Sequence, residues 1–121
     1  MSAKPDTSHI QSRFAEDWEP WISVGDGWLP MVVELHAALV AVAPDIRYRQ
    51  IKEKDAELRV YTTCDGDPEV RKLTDAAEQR SHTICESCGE AGSLHKSPMS
   101  WYRILCEGCA AEQNHTKVPP L

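Results

Sequence analysis

Four cysteines fall in two matched pairs, Cys85-Glu86-Ser87-Cys88 and Cys106-Glu107-Gly108-Cys109, separated by seventeen residues. A Cys-x-x-Cys pair wraps one tight turn around an edge of a metal ion, and two such pairs a hairpin's length apart close a tetrahedron of thiolates. This is the ligand pattern of a structural zinc site, with Cys85, Cys88, Cys106 and Cys109 as ligands and Zn2+ as the implied cofactor. A tetrathiolate centre has no open coordination position, so it stabilises structure and activates no substrate. His82, His95 and His115 lie nearby in the sequence, but four paired cysteines make a histidine ligand unnecessary. A redox reading of either pair needs a thioredoxin-like βαβ setting and leaves the other pair unexplained. Cys64 stands outside the pattern.

A chain of 121 residues is long enough for one domain with a zinc-stapled appendage. Only 41% of its residues are hydrophobic, so a metal must supplement a modest core. Structural zinc contributes on the order of 10 kcal/mol apparent in small modules. No apolar run has the length of a membrane span, and the first residues lack a signal peptide's apolar core, so a cytoplasmic location is expected. That compartment keeps thiols reduced, which favours metal over disulfides.

The net charge of −6 is uneven: residues 1–34 hold two bases against six acids, 35–80 eight against nine, and 81–121 three against four. Non-specific nucleic-acid binding needs a positive field. Only the stretch from Arg47 to Arg59 offers one.

The elements that position the cysteines read as α+β: helices packed on a small antiparallel β-hairpin or sheet, followed by a treble-clef or zinc-ribbon module. The expected division is an α+β domain over 1–81 with 1–7 disordered, a zinc-binding module over 82–113, and a flexible tail over 114–121. Ser8 is placed to cap a helix running to about Trp18, with Ile10, Phe14 and Trp18 on one face. Trp18 and Trp21, on an acidic stretch, are either lids on the core or an exposed interaction patch. The core reading is favoured because paired aromatics near a helix end usually fold back.

Asp26-Gly27 precedes the clearest helix, Trp28 to Val42, in which Trp28, Val32, Leu35, Leu39 and Val42 follow a 4-3-4-3 spacing. His36, beside that stripe, reads as a boundary histidine with its own hydrogen-bond partner. Ile46 to Lys54 and Glu57 to Thr63 alternate as two strands around a turn at Asp55-Ala56. Their outer face is expected to display Arg47, Arg49 and Arg59 among Glu53, Asp55 and Glu57. Asp67, Pro68 and Glu69 start a helix that runs to about Arg80 or Ser81. This capping reading displaces a calcium loop, for which further ligands and a closing acid are absent.

In the metal module, Gly89 relieves the backbone of the first knuckle, and Ser93–Lys96 and Trp101–Leu105 form a hairpin. A second pair on the first turn of a helix makes a treble clef, whereas a second knuckle followed by a strand makes a ribbon. Ala110-Ala111-Glu112-Gln113 favours the helix.

In this order the chain resembles a group of small uncharacterised bacterial and phage proteins with three recurring blocks. They are Gly25-Asp26-Gly27-Trp28 at a helix entry, the hairpin Gln50-Ile51-Lys52-Glu53-Lys54 with Leu58-Arg59-Val60-Tyr61, and Ser81 followed by Cys85-Glu86-Ser87-Cys88-Gly89, Trp101-Tyr102 and Cys106/Cys109. The resemblance covers about residues 25–110. The sequence departs from the group at the hairpin turn, where Asp55-Ala56-Glu57 replaces an aromatic followed by glycines, which implies a longer or differently bent turn. The likeness implies a fold and a metal site, and names no activity.

Three functions follow. The first is a protein-binding adaptor or inhibitor, phage- or bacteria-encoded, with a protein partner at Trp18 and Trp21 and at Arg47, Arg49, Lys52 and Arg59. The alternative is a nucleic-acid-binding zinc protein using the Arg47–Arg59 hairpin face, with Tyr48 and Tyr61 for stacking. An enzyme ranks last: the metal is saturated, and no nucleophile, base and orienter are grouped. No membrane partner is expected.

Overall fold

A computed structural model describes residues 4–119. The expected disorder at 1–7 and the end of the expected tail therefore fall partly outside the described residues. The architecture is α+β, with two small three-stranded sheets, the C-terminal one belonging to the cysteine module. Among the described residues no helix is long and apolar enough to cross a membrane.

The central hairpin pairs β2 (Tyr48–Lys54) with β3 (Glu57–Thr62) antiparallel. Asp55 and Ala56 form its turn with φ of 53° and 63°. Two left-handed residues in a two-residue connection give the primed turn that matches strand twist. The departure from glycine therefore leaves the turn at the shortest hairpin length. Ala56 is buried in the core, and its N–H donates to Glu53 Oε2 at 2.7 Å.

The register slips between Tyr48 and Gln50, because Tyr48 faces Thr62 while Gln50 faces Tyr61. This bulge re-phases the strand, so Tyr48 and Ile51, three residues apart, both point into the core. A two-residue strand, β1 (Ile22–Ser23), adds parallel to β2 and makes the sheet mixed, which the sequence did not signal.

The helix before it is shorter than expected. α1 covers only Ser8–Gln11, with Asp6 Oδ1 accepting from the Ser8 N–H at 2.9 Å. The sheet takes over the next residues: Tyr48 N–H donates to Arg13 O at 3.0 Å and Ala15 N–H to Tyr48 O at 2.7 Å. Ile10 and Phe14 are buried as the pattern required, but Trp18 is not.

α2 (Leu29–Val42) follows a single 3-10 turn over Asp26–Trp28. Asp26 makes no side-chain cap there; it is exposed and pairs with Lys4 at 3.4 Å. Trp28, Val32, Leu35 and Leu39 are buried, whereas Val42, at the helix end, is exposed. His36 is buried with Nδ1 2.7 Å from the Tyr48 hydroxyl, a structural partnership.

α3 (Pro68–Ser81) is capped by Asp67, whose carboxylate accepts from the Glu69 N–H. It packs on α2 and on β3 and buries Val70, Thr74 and Ala77. Asp65 is used locally, accepting from the N–H and hydroxyl of Thr62. Cys64 is half-buried against the core.

Candidate metal centre

Helix α3 ends at Ser81, and the chain turns directly into the first cysteine pair. The buried Ser81 hydroxyl donates to Glu78 O at 2.6 Å and accepts from the Leu58 N–H at 3.1 Å. It thereby fixes the helix end to the free edge of β3. Within the knuckle, the Gly89 N–H donates to Cys85 O at 2.9 Å, and Gly89 has φ of 86°, a conformation that favours glycine.

β4 (Ser93–Lys96) and β5 (Tyr102–Leu105) form the expected antiparallel hairpin. Cys106 then sits at the N-cap of α4 (Glu107–Glu112), with its sulfur accepting from the Cys109 N–H at 3.4 Å. The second pair thus rides on the first turn of a helix, which is the treble-clef arrangement. The chain after it does not run free: Thr116–Lys117 forms β6, antiparallel to β4. This pairing lies within the stretch expected as a tail, and two polar residues gave no pattern to reveal it.

The sulfurs of Cys85, Cys88, Cys106 and Cys109 all lie within 4.8 Å of one another, so the four cysteines can hold a metal ion. Cys88 and Cys106 sulfurs are 3.7 Å apart. A disulfide needs about 2.05 Å, whereas a tetrahedron with metal–sulfur bonds of about 2.3 Å has edges of about 3.8 Å. The separation fits the metal.

The protonation pattern also suits a cation. Burial pushes the Cys85 thiol up, but the N–H groups of Cys106, Cys88 and Ser87 outweigh it and bring it down to about 7. Burial and the neighbouring sulfurs push the Cys109 thiol well above the ordinary range. Four sulfurs this close repel one another as thiolates, and a divalent ion at their centre removes that penalty.

The Gly25-Asp26-Gly27-Trp28 block is the seat of this centre. Gly27 N–H donates to Glu86 O at 2.8 Å, Gly25 N–H to Glu86 Oε2 at 2.9 Å, and Trp28 Nε1 to Ile84 O at 2.8 Å. A Cβ on Gly27 would overlap the Cys85 carbonyl and stand 2.8 Å from Cys88 N; one on Gly25 would meet Glu86. Both glycines are needed for close backbone approach. Ile104 of the module also joins the main core.

The other residues singled out in the sequence separate into two settings. Trp18 and Trp21 are 42% and 66% exposed, correcting the expectation that they cover the core. The helix that would have folded Trp18 inward stops at Gln11, and Trp21 lies just before β1. Both line an open groove of about 340 Å³ with Arg49 and Lys52, and with Asp17 and Glu19. Arg47 is exposed outside that groove, while Arg59 is tied to Glu57 at 2.8 Å, which also meets His82 at 2.6 Å. Lys52 lies 5.8 Å from the centre of the Tyr61 ring. Tyr48 is buried and unavailable for stacking on a base.

A second exposed apolar group, Met99, Trp101 and Tyr102, stands at the tip of the β4–β5 hairpin, where the sequence marked only an aromatic pair beside a turn-forming Ser-Pro-Met-Ser run. The sequence did not mark Glu86, which is only 4% exposed. No family model, curated protein or solved structure matches the chain.

Proposed function

We propose that this chain is a zinc-stabilised protein-binding module that acts as an adaptor or inhibitor of another protein. The observation that carries the reading is the exposure of Trp18 and Trp21 at an open groove, although the core they might have covered is complete without them. Large aromatics held in water beside polar groups are the residues that dominate protein interfaces. Zinc is the ion best suited to four thiolates: it is tetrahedral, accepts an all-sulfur set, and fills a purely structural role. The metal then holds the glycine block, the knuckle and the hairpin as one body and performs no chemistry of its own.

The basic residues support this reading over nucleic-acid binding. Arg59 is neutralised by Glu57, the groove mixes Arg49 and Lys52 with Asp17 and Glu19, and the chain carries −6 overall. The test is affinity capture with the metal-loaded chain and with a Trp18→Ser, Trp21→Ser variant, each with and without nuclease. A protein retained by the parent, lost with the variant and indifferent to nuclease is the expected result. A nuclease-sensitive retention abolished by Arg47→Glu with Arg49→Glu would overturn it in favour of nucleic acid. Native mass spectrometry is expected to show one zinc ion per chain; iron with inorganic sulfide would overturn the metal assignment.

A further inference from the structure

The second apolar group borders a larger cleft, of about 660 Å³, between the β2–β3 turn and the tip of the zinc-module hairpin. Its acidic members are Glu53, Asp55 and Glu86, and its single base is Arg103. Three carboxylates against one guanidinium leave a local balance of two negative charges.

Glu86 is the informative member. Its Oε2 is used by the Gly25 N–H, but Oε1 is closed to solvent and has no hydrogen-bond donor. Arg103 Nε approaches Oε1 only to 3.5 Å, because the same guanidinium is held through Nη1 by Gln113 Oε1 at 2.6 Å. A buried acceptor without a donor is costly, and a charged one more so. Arg103 thus pairs with Glu86 as an ion without donating a hydrogen bond to Oε1, and one guanidinium serves three carboxylates.

Trp101 at 71% exposure and Met99 at 81% line the same cleft, with Tyr102. An exposed aromatic in the same cleft as carboxylates is a setting in which a guanidinium can both stack and form paired hydrogen bonds. Met supplies an adaptable apolar surface for the residues flanking it.

We infer that this cleft binds an arginine side chain of a protein partner, with the guanidinium held by Trp101 and the carboxylates of Glu53 and Asp55, beside the buried negative charge of Glu86. The inference rests on the protein-binding reading and adds a second contact to it, distinct from the Trp18–Trp21 groove. Arginine is favoured over lysine because the flat guanidinium can lie on the indole while its several N–H groups reach more than one carboxylate.

The probe is the peptide acetyl-Gly-Leu-Arg-Leu-Gly-amide, titrated into the metal-loaded full chain while the four tryptophan indole N–H signals are followed by NMR. The control peptide carries citrulline, which keeps the shape and removes the charge. The arginine peptide is expected to move the Trp101 indole signal saturably and to bind at least fivefold more tightly than the citrulline peptide. Trp101→Ala, followed through backbone amide signals around the cleft, and Glu53→Gln with Asp55→Asn are each expected to weaken binding at least fivefold. Trp101 is exposed, and a glutamine at 53 can still accept from the Ala56 N–H, so both variants retain the fold. Equal binding of the two peptides, or binding untouched by both variants, overturns the inference. Partner capture through Trp18 and Trp21 that survives in Trp101→Ala, together with such a result, removes the cleft from the interface while leaving the protein-binding reading standing. Loss of all capture irrespective of Trp18 and Trp21 removes that reading instead.

Discussion

Gly27 lies directly against the backbone of Cys85, so that the entry to helix α2 and the first metal knuckle share one surface with no side chain between them. The Gly27 N–H donates across this contact to Glu86 O, and a Cβ at 27 would overlap the Cys85 carbonyl. Gly27→Ala should therefore force two backbones apart. The expected loss is about 3 kcal/mol, at the upper end for overpacking, because backbone cannot rotate away as a side chain can. Thermal unfolding of the metal-loaded protein checks it. Gly66→Ala and Gly108→Ala, where nothing lies within 4 Å of an added Cβ, are expected to have no comparable steric effect.

Metal removal should reach beyond the cysteines for the same reason. Residues 82–113 are expected to open first, but Gly25, Gly27 and Trp28 donate to Glu86 and Ile84 and should lose protection with them. Hydrogen exchange with and without chelator measures this. The helix α3 amides are expected to stay protected, since their bonds are internal and the helix packs on α2. Simultaneous loss of protection throughout the chain would show that the metal supports the entire fold.

The parts of this architecture that repeat locally were legible in the sequence. The stripe Trp28, Val32, Leu35, Leu39 gave α2, Asp67-Pro68-Glu69 gave the start of α3, and the spacing of four cysteines gave the centre. What escaped were relationships that no local period encodes. Gly25 and Gly27 look like turn residues until the knuckle is placed upon them. The bulge at Arg49 permits Tyr48 and Ile51 to share a face, which strict alternation forbids. β1 and β6 are two residues each and exist only because a longer strand lies beside them. Trp18 stays exposed because the chain leaves the helix after Gln11 to pair with the sheet, so no helix end is there for it to fold back on.

Ser81 links the end of α3 to the edge of the hairpin, and its removal has a calculable consequence. Ser81→Ala leaves the buried Leu58 N–H without its acceptor, because that N–H is directed to Ser81 Oγ rather than to β2. An unsatisfied buried donor costs about 1–3 kcal/mol. Denaturant unfolding is expected to show a loss in that range. Ser81→Thr, which restores a hydroxyl, should recover part of it unless the added methyl is not accommodated. A loss below about 0.5 kcal/mol for the alanine variant would mean that water replaces the hydroxyl, as it does for exposed groups.

His36 gives the fold a dependence on pH that can be isolated from the metal. Burial lowers its tendency to protonate, and His9 and Arg13 nearby lower it further. The facing groups are the Tyr48 hydroxyl at 2.7 Å and the His9 ring at 5.1 Å between centroids, neither of them an anion that would stabilise an imidazolium. The folded protein therefore takes up a proton at His36 less readily than the unfolded chain, whose histidines titrate at about 6.5. Below that value the unfolded state binds more protons, so stability falls as pH falls. The contribution is fully present above about pH 6.5 and is lost progressively as the pH drops toward the lower folded-state value. His36→Gln keeps an acceptor for the Tyr48 hydroxyl and removes the titration. The difference in stability between parent and variant, measured with metal in excess from pH 7.5 to 5, is expected to shrink as the pH decreases. A difference that stays constant across that range would show that His36 titrates equally in both states.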